Sequence, residues 1–204
     1  MLEAIVLAAS PNEGLLKECS TAPKEALIKI AGRQMVEYVL EALDKTEEID
    51  GIVLVGVKAQ ELSYQPLKPT KWTEGGANLL GSVEQGLAVV TPGNRVLLVT
   101  ADIPLINPDI VKTFLRQCGD QQAEVYYPVV SREISESRFP GVRRTYATLR
   151  EGTFTGGNLF LINPDVVARC RPLLLEGTRL RKRPLSLCKM LGIWFLVKYL
   201  CKRL

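Results

Sequence analysis

The chain contains no histidine. Imidazole bases, Ser-His-Asp triads and His-rich zinc sites are therefore excluded as the basis of any activity. Cysteine is present but unpaired in pattern: Cys19, Cys118, Cys170, Cys188 and Cys201 include no CxxC. An odd number at wide spacing reads as the reduced thiols of a cytoplasmic protein rather than a disulfide framework. Charge of neither sign dominates. A net charge of +4 is too small to demand a nucleic-acid partner, though it suits anionic small molecules such as nucleotides. No apolar run is long enough to span a bilayer. No signal peptide is expected, since Glu3 follows the start at once and Leu2 to Ala9 reads as a strand. What remains is 204 residues, 47% apolar and 24% charged. That is the composition of a globular chain long enough for one α/β domain with a substantial core.

The first half alternates strand and helix patterns. Ala4 to Ala9, Gly51 to Gly56 and Arg95 to Thr100 are short apolar runs of the kind buried on both faces of a parallel sheet. Between them, Met35, Val36, Val39, Leu40 and Leu43 mark one helical stripe, and Leu79, Leu80, Val83, Leu87 and Val90 another. Pro108 opens a further helix. This βαβαβ order predicts right-handed crossovers and a three-layer α/β/α sandwich around a mostly parallel sheet. In the second half, Glu124 to Val130, Arg143 to Leu149 and Phe154 to Ile162 read as strands, with a turn near Glu151 and Gly152. They add mixed or antiparallel strands to the parallel core. Pro164 opens a helix running through Val166, Val167, Cys170 and Leu174. With no repeat and no linker, residues 1–204 read as one domain with a helical tail from about residue 179.

Ligands of an open α/β sheet bind beyond the carboxyl ends of its strands. After the first strand, Ser10-Pro11-Asn12-Glu13-Gly14 is a loop whose backbone amides suit phosphate. It is not a P-loop, since GxxxxGK[ST] is absent, and an ordinary connecting loop is the simpler account. After the third strand stands Asp102, within Thr100-Ala101-Asp102-Ile103-Pro104. A carboxylate there is placed either to hold a hard cation such as Mg2+ or to cap the next turn. The third feature is Thr155-Gly156-Gly157-Asn158. Paired glycines weaken a strand unless a ligand or another backbone comes close, and Asn158 offers either a carbonyl oxygen or an amide. A β-bulge is the alternative.

These segments together resemble a family. Leu7 to Tyr38, LAASPNEGLLKECSTAPKEALIKIAGRQMVEY, is similar to the sugar-phosphate nucleotidyltransferase signature LAGGxGTRLxPLTxxxPKxxLxxxGxPxIEY. The resemblance extends to the molybdenum-cofactor-guanylyltransferase-like proteins of that superfamily and covers most of residues 2–175. It implies a nucleotide-diphospho-sugar-transferase-like fold. It assigns Ala8, Ala9, Ser10, Lys17, Asn78 and Ser82 to the nucleotide. Lys24 and Asp102 would be catalytic, Asp102 and Asn158 would hold Mg2+, and Gly156, Gly157 and Asn158 would face the acceptor. The departures are concentrated in the first loop. The paired glycines fall on Ala9 and Ser10, the third glycine on Asn12, and the signature arginine on Gly14. Lys17, in place of a proline, is expected to supply a compensating charge.

The function so implied is transfer of a nucleoside monophosphate from a nucleoside triphosphate to a small phosphorylated acceptor, with release of pyrophosphate. It is cation-assisted chemistry that needs no histidine. A nucleotide-binding regulatory protein of the same fold is the first alternative, favoured by the altered loop. A glycosyltransferase is the second, and it lacks its usual DxD here. The tail combines a basic cluster, Arg179, Arg181, Lys182 and Arg183, with an apolar stripe through Leu187, Met190, Leu191, Trp194 and Phe195. It is expected to pack on the sheet or on a second subunit of a homodimer rather than on a membrane surface.

Overall fold

The computed structural model describes residues 1–120 and 122–180, and the tail beyond Arg179 and Leu180 lies outside the described residues. The chain forms two compact units. The first comprises Met1–Tyr126 and Asn158–Arg169; the second comprises Tyr127–Gly157 and the chain from Cys170.

The first unit begins with β1 (Glu3–Leu7). After a long excursion come the two-residue strands β2 (Lys29–Ile30) and β3 (Arg33–Gln34), paired through a turn in which Ala31 and Gly32 have φ of 50° and 83°. Helix α1 (Met35–Asp44) follows at once. The Glu37 carboxylate accepts the Gln34 amide at 3.3 Å to close its first turn. The chain continues through β4 (Gly51–Val55), β5 (Thr70–Thr73), α2 (Leu79–Leu87), β6 (Val96–Thr100), α3 (Pro108–Gln117) and β7 (Val125–Tyr126). It leaves for the second unit as β8 (Val129–Ser131), α4 (Arg132–Arg138), β9 (Ala147–Leu149) and β10 (Gly152–Gly156). It returns as β11 (Leu159–Ile162) and α5 (Asp165–Arg169), and then forms α6 (Arg171–Leu180).

The first unit holds a six-stranded sheet in the order β5-β4-β1-β6-β11-β7. Strands β5, β4, β1 and β6 run parallel and β11 pairs antiparallel with β6. This is the mixed, mostly parallel sheet expected. Alternate residues of its central strands face opposite layers. Ala4, Val6, Leu54, Leu97 and Val99 pack with Val36, Val39, Leu40 and Leu43 of α1 and with Val111, Phe114 and Leu115 of α3. Ile5, Val53, Val55 and Leu98 pack with Leu80 and Val83 of α2 and Val167 of α5. Two helices on each face give the three-layer sandwich. Helix α2 lies so close to β1 that a Cβ at Gly86 would stand 2.6 Å from Ile5 Cγ2.

The second unit holds the three-stranded sheet β8-β10-β9. Among its described residues only Ser135 and Thr155 are buried, while Val129, Ile134 and Val142 are more than half exposed at 54%, 56% and 54%. The expected strand from Glu124 to Val130 is divided at Tyr127-Pro128, where proline supplies no ladder donor. The expected strand from Phe154 to Ile162 is likewise divided at Gly157-Asn158, its halves joining different sheets. The helix expected from Pro164 is interrupted at Cys170.

Candidate active site

Because β1, β4, β5 and β6 are parallel and in register, their last residues Leu7, Val55, Thr73 and Thr100 stand along one edge of the sheet. From β1 the chain winds toward β4 and β5, and from β6 it winds toward β11 and β7. The carboxyl ends of β1 and β6 therefore form the switch point of the sheet, where an α/β fold opens its ligand crevice. Ala8-Ala9-Ser10 leaves one side of this crevice and Ala101-Asp102 the other. The Ala101 amide donates to the Leu7 carbonyl at 3.2 Å and ties the two together.

Asp102 is exposed. Its Oδ1 accepts a 2.5 Å hydrogen bond from the Thr100 hydroxyl, which orients the carboxylate from the strand that carries it. Asn158 stands one step before β11, and its carbonyl accepts the Thr100 amide at 3.2 Å. Leu159 pairs with Val99, so the next step of the antiparallel register sets Asn158 opposite Thr100, whose hydroxyl bonds Asp102. Among the described residues no group of three or more Asp, Glu or Cys side chains converges. Were Asp102 and Asn158 to hold a cation, as the resemblance implies, they would give it one carboxylate and one amide oxygen. That set fits Mg2+, which keeps several waters and takes the rest of its shell from substrate phosphates.

The first loop is tied internally. Pro11 pairs with Lys24 in an isolated antiparallel bridge, the Glu25 amide donates to Ser10 at 3.1 Å, and the Asn12 amide donates to Pro23 at 3.1 Å. The Asn12 side chain is buried, and its Nδ2 donates to the carbonyls of Ser20 at 2.9 Å and Ala22 at 3.0 Å. Asparagine at the family's third glycine thus acts as an internal clasp, which glycine cannot do. The Glu13 amide is also engaged, with Pro11 O at 3.0 Å. Of the amides in the five-residue loop, those of Asn12 and Glu13 are therefore taken up within the protein, and Pro11 has none to offer. Lys17 is exposed on a single 3-10 turn, Leu15–Glu18. Lys24 is half-buried and its Nζ lies 3.4 Å from Glu61 Oε1.

Asn78 and Ser82 have structural work at the start of α2. Asn78 Oδ1 accepts the Gly81 amide at 2.9 Å and caps the helix. Buried Ser82 accepts the Gly76 amide at 3.1 Å and holds the turn before it. The glycines of that turn went unread in the sequence. A Cβ at Gly75 would lie 2.5 Å from Ala9 Cβ, and one at Gly56, whose φ is 91°, would collide with Ala9 as well. Ala9 is thus pressed between the ends of β4 and the turn before α2, which sets the first loop against the helix N-terminus. Next to it, Gly56, Val57, Lys58, Trp72, Thr73 and Glu74 line a hollow of about 140 Å3.

Gly156 and Gly157 belong to the second unit, and their neighbours there differ from the expectation. The space above Gly156 is filled by the Tyr127 hydroxyl, and a Cβ at Gly157 would lie 2.8 Å from Pro128 Cγ. The absence of side chains admits Tyr127 and Pro128, not an open cleft. The Gly157 amide donates to the Pro128 carbonyl at 2.9 Å.

The profile of the MobA-like NTP transferase domain matches residues 4–187. A structure from Thermus thermophilus described as a hypothetical transferase is 37% identical, with a TM-score of 0.83 over 100% of this chain and 84% of that one. The 2-C-methyl-D-erythritol 4-phosphate cytidylyltransferase of Lachnospira eligens is 30% identical over 119 residues, 54% of this chain and 50% of that protein, so the chain spans about half the length of the curated relative it matches. The Francisella tularensis enzyme of the same name shares the fold at 13% identity, with a TM-score of 0.62 over 89% of this chain and 82% of that one. With most of its length matched by the profile, the chain belongs to the MobA-like NTP transferase domain family.

Proposed function

We propose that the protein transfers a nucleoside monophosphate from a nucleoside triphosphate to a small phosphorylated acceptor. The observation that supports the reading is that the segments leaving β1 and β6 are tied by the Ala101-to-Leu7 hydrogen bond, one residue before Asp102, while the turn before α2 presses on Ala9. Helix N-termini and free amides favour phosphate oxygens, and Lys24, carried on the same loop system, adds a cation. Asp102 with Asn158 would hold Mg2+, which would supply positive charge against the charge that develops on phosphate oxygens. An oxygen of the acceptor phosphate attacks the α-phosphorus, the bond to the α,β-bridging oxygen breaks, and pyrophosphate leaves with that electron pair. The protein's own part is positioning and electrostatics, so no histidine is needed.

A second reading keeps nucleotide binding without transfer. It is favoured by the glycine at position 14, in place of the signature arginine, and by the engaged amides of Asn12 and Glu13. One experiment separates the two. Each α-labelled triphosphate is incubated with Mg2+, the protein and a deproteinised small-molecule extract as the acceptor source. Transfer yields pyrophosphate together with label in a new compound. Saturable binding of a triphosphate with neither product establishes the non-catalytic reading.

A further inference from the structure

Lys24 is the side chain given to phosphate above, yet it stands in an ion pair, with Nζ 3.4 Å from Glu61 Oε1 and the two side chains 29% and 31% exposed. Both partners are fixed through their own segments. Lys24 is bridged to Pro11, and its carbonyl accepts the Leu27 amide at 3.1 Å. Glu61 Oε2 accepts the Lys58 amide at 2.8 Å, and its backbone carbonyl accepts Gln34 Nε2 at 2.7 Å. The Lys58 amide bond, aided by Lys24 nearby, holds the Glu61 carboxyl below the usual carboxylate range. The turn bearing Glu61, Ala59–Glu61, follows the carboxyl end of β4, and Lys24 closes the excursion that follows the carboxyl end of β1. Glu61 is thus a fixed anion at the same sheet edge that any phosphate bound by Lys24 must displace.

We infer that Glu61 is the positioning residue of the phosphate-binding lysine: it parks the Lys24 ammonium in the nucleotide-free protein and yields it to the polyphosphate of an incoming nucleotide. The inference rests on the reading of Lys24 as a phosphate ligand. A merely structural pair would stabilise the fold and leave phosphate affinity alone. A parking pair subtracts its own strength from that affinity, and does so only while Lys24 is present.

The test is calorimetric titration of the full-length protein with inorganic tripolyphosphate, a probe independent of base and acceptor. Wild type is compared with Lys24→Ala, Glu61→Gln, Glu61→Asp and the Lys24→Ala/Glu61→Gln double variant. Lys24→Ala weakens binding. Glu61→Gln tightens it about two- to fivefold, the range set by a partly exposed ion pair. Glu61→Asp, which keeps the charge but withdraws it by one methylene, falls between wild type and Glu61→Gln. The double variant binds like Lys24→Ala, since the effect of Glu61 passes through that lysine. Unchanged or weaker binding by Glu61→Gln, with Lys24→Ala impaired, overturns the inference and leaves the lysine's role standing. Normal binding by Lys24→Ala removes the lysine from the phosphate site, and the inference falls with it. Should Glu61→Gln fail to fold, Glu61→Asp decides, and affinity no better than wild type overturns the inference.

Discussion

The two ends of the six-stranded sheet treat polar groups in opposite ways. At the amino end, Glu3 is buried on β1 with both carboxylate oxygens engaged: Oε1 takes Lys71 Nζ at 2.8 Å and Oε2 takes the Thr91 amide at 2.5 Å. That network joins the starts of β1 and β5 to the connection between α2 and β6. At the carboxyl end, Asp102 is exposed and its Oδ1 accepts from the hydroxyl of Thr100, two residues away. Asn158, whose carbonyl accepts the Thr100 amide, is half-buried, and Lys17 is exposed on a single turn. Glycines at 56 and 75 press Ala9 into the first loop where larger residues would have filled the space. One end closes its polar groups among themselves, which stabilises the fold. The other leaves a carboxylate and a helix N-terminus facing outward, as a site for a charged ligand requires.

If this contrast is sound, substitutions at the two ends should separate binding from stability. The largest effect is expected at Asp102. Asp102→Asn should lower Mg2+-dependent triphosphate turnover by on the order of a hundredfold, the scale of losing one electrostatic stabiliser. Its unfolding free energy should stay within about 0.5 kcal/mol of wild type, as for an exposed side chain. Steady-state kinetics beside a urea melt measure both, and a large loss of stability would place Asp102 among the structural groups.

Next in size is Gly86, in the last turn of α2. Gly86→Ala drives a methyl into Ile5 and should cost about 1–3 kcal/mol. That is visible as a drop of about 2–4 °C in Tm per kcal/mol. A triphosphate Kd unchanged at temperatures where the variant is folded would keep this position on the structural side.

At the amino end, Glu3→Gln should cost on the order of 1 kcal/mol at neutral pH, since Lys71 is 46% exposed and its charge is screened. Burial pushes the Glu3 carboxyl up, but the bonds from Lys71 and Thr91 outweigh it, and its pKa is held below the usual carboxylate range. A depressed carboxyl contributes stability that is complete above its unfolded pKa and is lost as pH falls through the folded one. The acid limb of the stability curve should therefore be shallower in Glu3→Gln. Parallel acid limbs for the two proteins would show that Glu3 carries no such linkage.

The smallest effect tests where the two ends meet. Asn78 caps α2 and was also expected to touch the nucleotide. Asn78→Ala should cost about 1 kcal/mol of stability through the cap. If tripolyphosphate affinity falls as well, the helix N-terminus is part of the site. If it does not, Asn78 belongs with Glu3.

The sheet was legible because burial leaves a strong mark on a sequence. Ala4 to Leu7, Ile52 to Val55 and Val96 to Val99 are continuous apolar runs, as strands covered on both faces must be. Edge strand β5 was not, because Thr-Lys-Trp-Thr is half exposed and carries no such run. Nor was α4, a seven-residue polar helix marked chiefly by its Ser131 cap. At the candidate site, Asp102 could be singled out because it follows a buried strand. Glu61 could not, since its pairing with Lys24 crosses 37 residues and exists only once β1 and β4 are neighbours. The clasp made by Asn12 was hidden for a similar reason: a departure from a glycine motif shows what is missing but not what the new side chain holds.

The central claim, that the carboxyl end of the sheet is a metal-assisted triphosphate site, is tested most directly by thermal shift. Wild type and Asp102→Asn are melted with each of the four ribonucleoside triphosphates at saturating concentration, with and without Mg2+. A ligand at about 100 times its Kd adds about 2.7 kcal/mol by mass action. The account predicts that at least one triphosphate raises Tm of the wild type only when Mg2+ is present, and that the rise disappears in Asp102→Asn. A rise of equal size in Asp102→Asn, or none with any triphosphate in the wild type, would contradict it.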